Sequence, residues 1–250
     1  MNDIQRGIVE GKLFLYEKPE MLAIEDHFDL GVSPVDAPYA NTRNARAIPL
    51  TQTEFSMAQN DYPIIFTDLK NPSPLAIVGL IEDDNLFLNE KDQWEPYAYQ
   101  PAYLRAYPFA FARHGEDQMA VVIDRASSMV SDQAQYPFFD DKELSEHSKK
   151  MIDFAAKFVS ERRRTEMFCE KLVELDLLTA QHVSHQTAPD AEPTVVANYV
   201  SINAEKLTAL DKDTVYELHT SGMLAAMYAQ INSTDNWNYL LQRRARKLAG

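Results

Sequence analysis

An α+β fold, β-rich through its first two-thirds and helical in its last part, is what this sequence predicts. Three observations lead there. Tyr-Pro is written three times in the first 140 residues, each time ahead of apolar residues: Tyr62-Pro63-Ile64-Ile65-Phe66, Tyr107-Pro108-Phe109-Ala110-Phe111 and Tyr136-Pro137-Phe138-Phe139. Each proline fixes φ and drives the tyrosine before it toward extended geometry, so each unit reads as chain entering a strand or a tight buried segment. After Asp140 the apolar period becomes helical, at Met151, Phe154, Ala155, Phe158, Phe168, Leu172 and Leu175. Strands therefore precede helices instead of alternating with them, which separates α+β from a βαβ design. No fixed-period repeat is visible.

The elements follow in order. Residues 1–50 are irregular, punctuated by Pro19, Pro34, Pro38 and Pro49. Thr51 with Glu54 is a capping-box pattern, and Phe55, Met57 and Ala58 continue a short helix. Ile64–Phe66 reads as a strand, and Leu75–Leu80 with Leu86–Leu88 reads as a hairpin around Glu82–Asn85. Pro101–Tyr107 reads as a helical turn. A second hairpin runs from Pro108–Arg113, through His114-Gly115-Glu116-Asp117, to Met119–Asp124. Capped by Asp140 or Asp141, a helix over 142–178 is predicted, with a break near Arg162–Glu166 where the apolar stripe lapses. Thr194–Ile202 reads as a returning strand. Short helices follow, from Asn203 to Leu210, from an Asp211 cap to Gly222, and on to the end. The predicted organisation is a core domain over 1–178, an exposed linker over 179–193, and a strand with short helices over 194–250.

Composition narrows the function classes. A chain of 250 residues with 45% hydrophobic and 25% charged residues can bury a substantial core. A net charge of −14 repels phosphate backbones and anionic lipid faces. The basic runs Arg162-Arg163-Arg164 and Arg243, Arg244, Arg246 and Lys247 read as solvated helix faces, so nucleic acid is not an expected partner. Cys169 is the single cysteine, which rules out an intrachain disulfide and suits a reducing compartment. Met1–Glu10 lacks a signal-peptide pattern, and no apolar run approaches the ~18 residues of a membrane span. A soluble, cytoplasmic protein is expected.

Few constellations suggest chemistry. His27-Phe28-Asp29 has the spacing of the first two ligands of an iron facial triad, but too little chain precedes it to build the usual jelly roll. His182 and His185, with Asp190 and Glu192 nearby, have no rigid frame for zinc. Cys169 sits mid-helix, away from anything that would lower its pKa. Ser127 and Ser128 lack a nucleophile-elbow frame, and 7 glycines leave little material for a phosphate loop. No catalytic residue, metal or cofactor is predicted.

The aromatic cluster remains. Trp94, Tyr97, Tyr99, Tyr103, Tyr107, Phe109 and Phe111 crowd eighteen residues, with Arg105 and Arg113 close by. Such rings offer apolar area with polar tips, and arginine stacks on them or clamps a carboxylate. Core packing is one reading; the other is a groove or interface in which Tyr103, Arg105, Tyr107 and Asp124 converge with Trp94 as a wall.

A family resemblance adds to this. Asp61-Tyr62-Pro63-Ile64-Ile65-Phe66, Gly79-Leu80 with Asn85-Leu86-Phe87, and Trp94 followed by Pro101-Ala102-Tyr103-Leu104-Arg105-Ala106-Tyr107-Pro108-Phe109 resemble the bacterial SapC family. So do Ile123-Asp124, Phe138-Phe139-Asp140, and the tail from Val200 through Leu207-Thr208-Ala209-Leu210 to Gly222; the likeness spans about residues 40–245. Ala106 stands where family members often carry a basic residue, and Val122 where many carry a cysteine, which speaks against catalysis at those positions. The family name links to surface-layer systems, and it is shared with an unrelated transporter permease that a chain without membrane spans cannot be. Relatives are often encoded beside flavin-dependent halogenase-like and cupin-type enzymes. The resemblance thus implies an accessory protein with a protein partner and no catalytic centre of its own. The alternatives are a small-molecule- or peptide-binding protein or enzyme using the aromatic and arginine pocket, and a surface-layer-associated component.

Overall fold

A computed structural model gives the structure of the protein and describes residues 13–80, 84–115, 118–186 and 192–249. From the N-terminal side come β1 (Pro19–Met21), α1 (Ile24–His27), β2 (Gly31–Val32) and β3 (Ala47–Pro49). α2 (Phe55–Ala58) precedes β4 (Ile64–Phe66) and β5 (Pro74–Ile77), and α3 (Ala102–Ala106) precedes β6 (Phe109–His114) and β7 (Gln118–Asp124). Four very short strands, β8 (Val130–Ser131), β9 (Tyr136–Pro137), β10 (Phe139–Asp140) and β11 (Glu143–Leu144), lead into the long α4 (Glu146–Glu174). β12 (Leu178–His185) and β13 (Thr194–Ile202) follow, then α5 (Ala204–Thr208), α6 (Lys212–Thr220), α7 (Met223–Ser233) and α8 (Asn236–Ala249). Helix takes 38% and strand 24%, and the described strand pairs are antiparallel, so the chain is α+β.

The chain divides into two compact units. The first comprises the residues up to Thr42 with Asn89–Gln93 and Tyr103–Ser160. It contains a sheet ordered β1-β7-β6, a second ordered β8-β2-β9, and the β10–β11 pair. Its core gathers Val32, Phe109, Ile123, Val130 and Phe138, with Met151 and Ile152 of α4 packed against them. Phe109 and Phe138 each follow a Tyr-Pro unit, and their rings meet edge-on, 5.6 Å apart. Gly31 is obligatory in the central strand β2, because a Cβ there would lie 2.2 Å from the Tyr136 carbonyl oxygen. The Tyr107–Pro108 peptide bond is cis.

The second unit comprises Arg43–Leu88, Trp94–Ala102 and the residues from Glu161 onward. Its sheet is ordered β12-β13-β4-β5-β3. β13 and β4 pair only at Val200 and Phe66. In an antiparallel register Ile202 would next face Ile64, but a carboxamide from α7 bridges those two residues. The Gln230 side chain accepts from the Ile202 N–H (3.0 Å) and donates to the Ile64 carbonyl (2.8 Å). Ser233, one turn along α7, accepts from the Ile64 N–H at 2.9 Å. Both side chains are fully buried. They satisfy backbone groups that the sheet ladder does not reach, as burial demands.

Local signals in the sequence hold. Glu54 returns to accept the Thr51 N–H at 2.8 Å, and Asn203 and Asp211 cap α5 and α6 through their side chains. The Pro108–Asp124 hairpin is β6–β7, with Gly115 at φ +72 in its turn; Glu116 and Asp117 lie outside the described residues. Four expectations are corrected. α4 runs unbroken through Arg162–Glu166, because the apolar lapse there is a solvent face laced by Arg162–Glu166 and Arg164–Glu161 pairs. Its N-terminus is capped by Ser145, whose Oγ accepts the Ser148 N–H at 3.1 Å, while Asp140 and Asp141 belong to the β10–β11 hairpin. Leu86–Leu88 forms a turn with a lone bridge from Leu88 to Trp94 in place of a strand, and Glu82 and Asp83 of the expected reverse turn lie outside the described residues. The polar stretch after residue 178 is the strand β12; its side chains are mostly exposed, which is why its composition reads as linker. Met1–Glu10 also lies outside the described residues, among which no helix is long and apolar enough to cross a membrane.

Gln230→Leu keeps side-chain bulk but strands two buried backbone groups. It should lower the unfolding free energy in urea by about 3 kcal/mol, from one to three for each orphaned group.

Candidate functional site

Four of the residues singled out in the sequence, Tyr103, Arg105, Tyr107 and Asp124, lie in the first unit. Asp124 ends β7 and is almost completely buried. Its carboxylate accepts from the Lys18 N–H (2.9 Å), the Glu17 N–H (3.0 Å), the Ala126 N–H (3.2 Å) and the Tyr107 hydroxyl (3.0 Å). The segment leading into β1 and the turn leaving β7 are thereby stapled to one side chain. Tyr107 packs edge-on against Tyr16 at 5.3 Å, and the Tyr16 hydroxyl donates to the Phe109 carbonyl at 2.8 Å. Burial, reinforced by nearby acidic hydroxyls and carboxylates, pushes both phenols above their ordinary range, so they stay protonated. Tyr103 donates to the Phe14 carbonyl and packs against Phe158, and the Arg105 guanidinium lies over the Phe154 ring at 5.1 Å. These contacts fill space and satisfy polar atoms. No substrate-facing carboxylate emerges from them, because Asp124 is saturated by the chain itself.

Trp94, the expected wall, belongs to the second unit. It stacks on Phe87 with centroids 6.1 Å apart, and its indole N–H donates to the Tyr62 hydroxyl at 3.1 Å. Tyr62 in turn donates to the Tyr99 carbonyl. The Arg243 guanidinium of α8 closes this stack over Phe87 at 4.4 Å. Beneath it, the buried Glu54 carboxylate accepts from the Tyr99 hydroxyl (3.0 Å) and the Ala102 N–H (2.7 Å).

The same unit also presents an exposed turn with a groove beside it. Glu95-Pro96-Tyr97-Ala98 forms a turn closed by the Ala98 N–H on the Glu95 carbonyl at 3.3 Å. Tyr97 sits at φ +71, where glycine is normal, and is fully exposed at 104%. A left-handed bulky residue costs roughly 1–2 kcal/mol. Glu95 pairs with Arg243 at 3.3 Å, which ties the turn to α8. Beside it lies a groove of ≈ 430 Å³ lined by Leu86, Glu95, Tyr239, Gln242, Arg243 and Arg246. The last four recur at helical spacing on one face of α8. Two guanidinium groups against one carboxylate leave this groove cationic on a chain of net charge −14, suited to a carboxylate from outside.

His27 is buried in α1 with Nδ1 on the Ala23 backbone and Nε2 on Glu20 at 3.2 Å. His182 and His185 stand three apart on β12 and so point to opposite sheet faces. Asp190 lies outside the described residues. Among the described residues no group of three or more His, Cys, Asp or Glu side chains is placed to hold a metal ion. Ser127 is buried in the turn after β7, where its Oγ accepts the Met129 N–H at 3.2 Å. Burial, and then the neighbouring Glu166 and Glu170, push the Cys169 thiol up to about 12. Sequence reasoning counted Tyr97 among the rings but did not single it out, and it missed Glu95, Tyr239 and Gln242. No local signal marks Tyr97 as left-handed, since the identical triplet Pro38-Tyr39-Ala40 holds its tyrosine at negative φ.

The SapC family model matches residues 22–240 of the chain. No curated protein and no solved structure matches it.

Asp124→Asn puts an amide donor against a ring of four donors and should cost about 2–3 kcal/mol in denaturant unfolding. Cys169 should resist alkylation at pH 8 in the native protein and react at once when the chain is unfolded in urea, followed by mass spectrometry.

Proposed function

This chain belongs to the SapC family, and from that premise we propose that it is a soluble, cytoplasmic accessory protein that binds another protein and leaves bond-making to it. The partner class proposed is a flavin-dependent halogenase-like or cupin-type enzyme. One observation carries the binding role: Tyr97 is held fully exposed in a backbone conformation that only strain permits. Strained, exposed aromatic residues persist where the surroundings over-determine them, and they concentrate at recognition sites. The α8 groove beside the turn supports the same reading, because Arg243 and Arg246 can receive a partner carboxylate while Tyr97 and Tyr239 supply apolar area. The saturation of Asp124 and the raised thiol of Cys169 also fit a protein without its own nucleophile or base.

Capture from the cells that encode it should retain a halogenase-like or cupin-type enzyme on the wild-type chain. Tyr97→Gly should lose that capture while unfolding within about 1 kcal/mol of wild type, since glycine relieves the left-handed strain but enlarges the unfolded ensemble. Equal capture by both chains, or none by either, would count against the reading.

A further inference from the structure

Among the described residues β12 is an edge strand, hydrogen-bonded to β13 on one side only. Thr179–His185 make no hydrogen bond beyond that ladder among the described residues. β13 meets β4 at Val200 alone, and the Tyr199 ring packs on Trp237 at 5.2 Å, so the root of the pair is anchored. Farther out, β12 and β13 form a two-stranded ribbon with Gln181, His182, Ser184, His185 and Val195 exposed. A quarter of the whole chain is charged, yet neither strand carries an Asp, Glu, Lys or Arg, and neither contains proline. Natural edge strands are guarded by charge, proline or bulges. Within this ribbon the one such device is a register shift at Val183/Ser184, where β13 carries the extra residue and β12 stays regular.

We propose that the β12 edge pairs with β12 of a second copy of this chain, antiparallel across a two-fold axis, joining the two five-stranded sheets into one. An antiparallel edge is its own complement under that symmetry, because each outward N–H faces an outward carbonyl of the copy. Charge selects the same occupant. Two chains of net charge −14 repel each other over most of their surfaces, and a ribbon free of Asp and Glu lets them meet with no carboxylate set against carboxylate. A ladder of eight residues spans about 27 Å, which places the interface at the small end of the size range and makes the dimer reversible. β12 shares no residue with the Tyr97 turn or the α8 groove, so the pairing is tested without the partner enzyme.

The test is sedimentation of the purified full-length protein from about 1 to 200 μM, the span in which a small interface associates. The expected result is a rise from the 28.5 kDa monomer to twice that mass. The double variant Gln181→Glu, Ser184→Glu sets like charges against each other across the axis. It should remain monomeric over the same span with an unchanged far-ultraviolet circular dichroism spectrum, and should recover the dimer in about 1 M salt, where the Debye length is about 3 Å. Recovery by salt separates charge repulsion from misfolding. A wild-type chain that stays monomeric throughout, or a double variant that dimerises as well as wild type in low salt, would overturn the proposal.

Discussion

Polar groups withdrawn from water must find hydrogen bonds inside the protein, and in this chain the strand ladders are too short to supply them all. Many strands run only two or three residues, so backbone groups at their ends would be orphaned. Three buried side chains take up the deficit. Asp124 collects four donors around the entry to β1 and the exit from β7. Glu54 holds Thr51, Tyr99 and Ala102. Gln230 stands in for the missing rungs between β4 and β13. Each is worth more as a partner than as a contact, because its removal leaves several buried groups unpaired at once.

That constraint decides which residues remain for function. A carboxylate that already accepts four hydrogen bonds has no lone pair to spare for a substrate, and phenols kept protonated by burial are poor bases. The rings that crowd residues 94–111 therefore divide. Trp94, Tyr103 and Tyr107 are drawn into packing and internal bonds. Tyr97 is turned outward on a strained backbone beside an arginine-lined groove. Recognition through an exposed ring and a cationic helix face needs no reactive group, and the accessory role proposed above rests on that. The uncharged ribbon of β12 and β13 adds a second kind of surface, suited to backbone pairing instead of side-chain readout.

The order of elements and their local ends follow from neighbouring residues alone. Proline restricts the tyrosine before it, Thr51 and Glu54 close one turn of helix, and Asn203 and Asp211 cap the helices they precede, all within four residues of chain. The α+β class and both hairpin partners of β6–β7 were therefore legible, as was the strand Thr194–Ile202. What a side chain meets was not. Whether Asp124 faces a ligand or the backbone of Glu17 and Lys18 depends on a contact more than 100 residues away along the chain. A polar stretch such as 179–185 reads as linker because both its faces are wet, and only pairing with β13 makes it a strand. Local sterics and capping act through the covalent neighbourhood, so the sequence determines them by itself; burial, saturation of hydrogen bonds and exposure of Tyr97 are properties of what distant segments bring together, and the tertiary structure alone decided those.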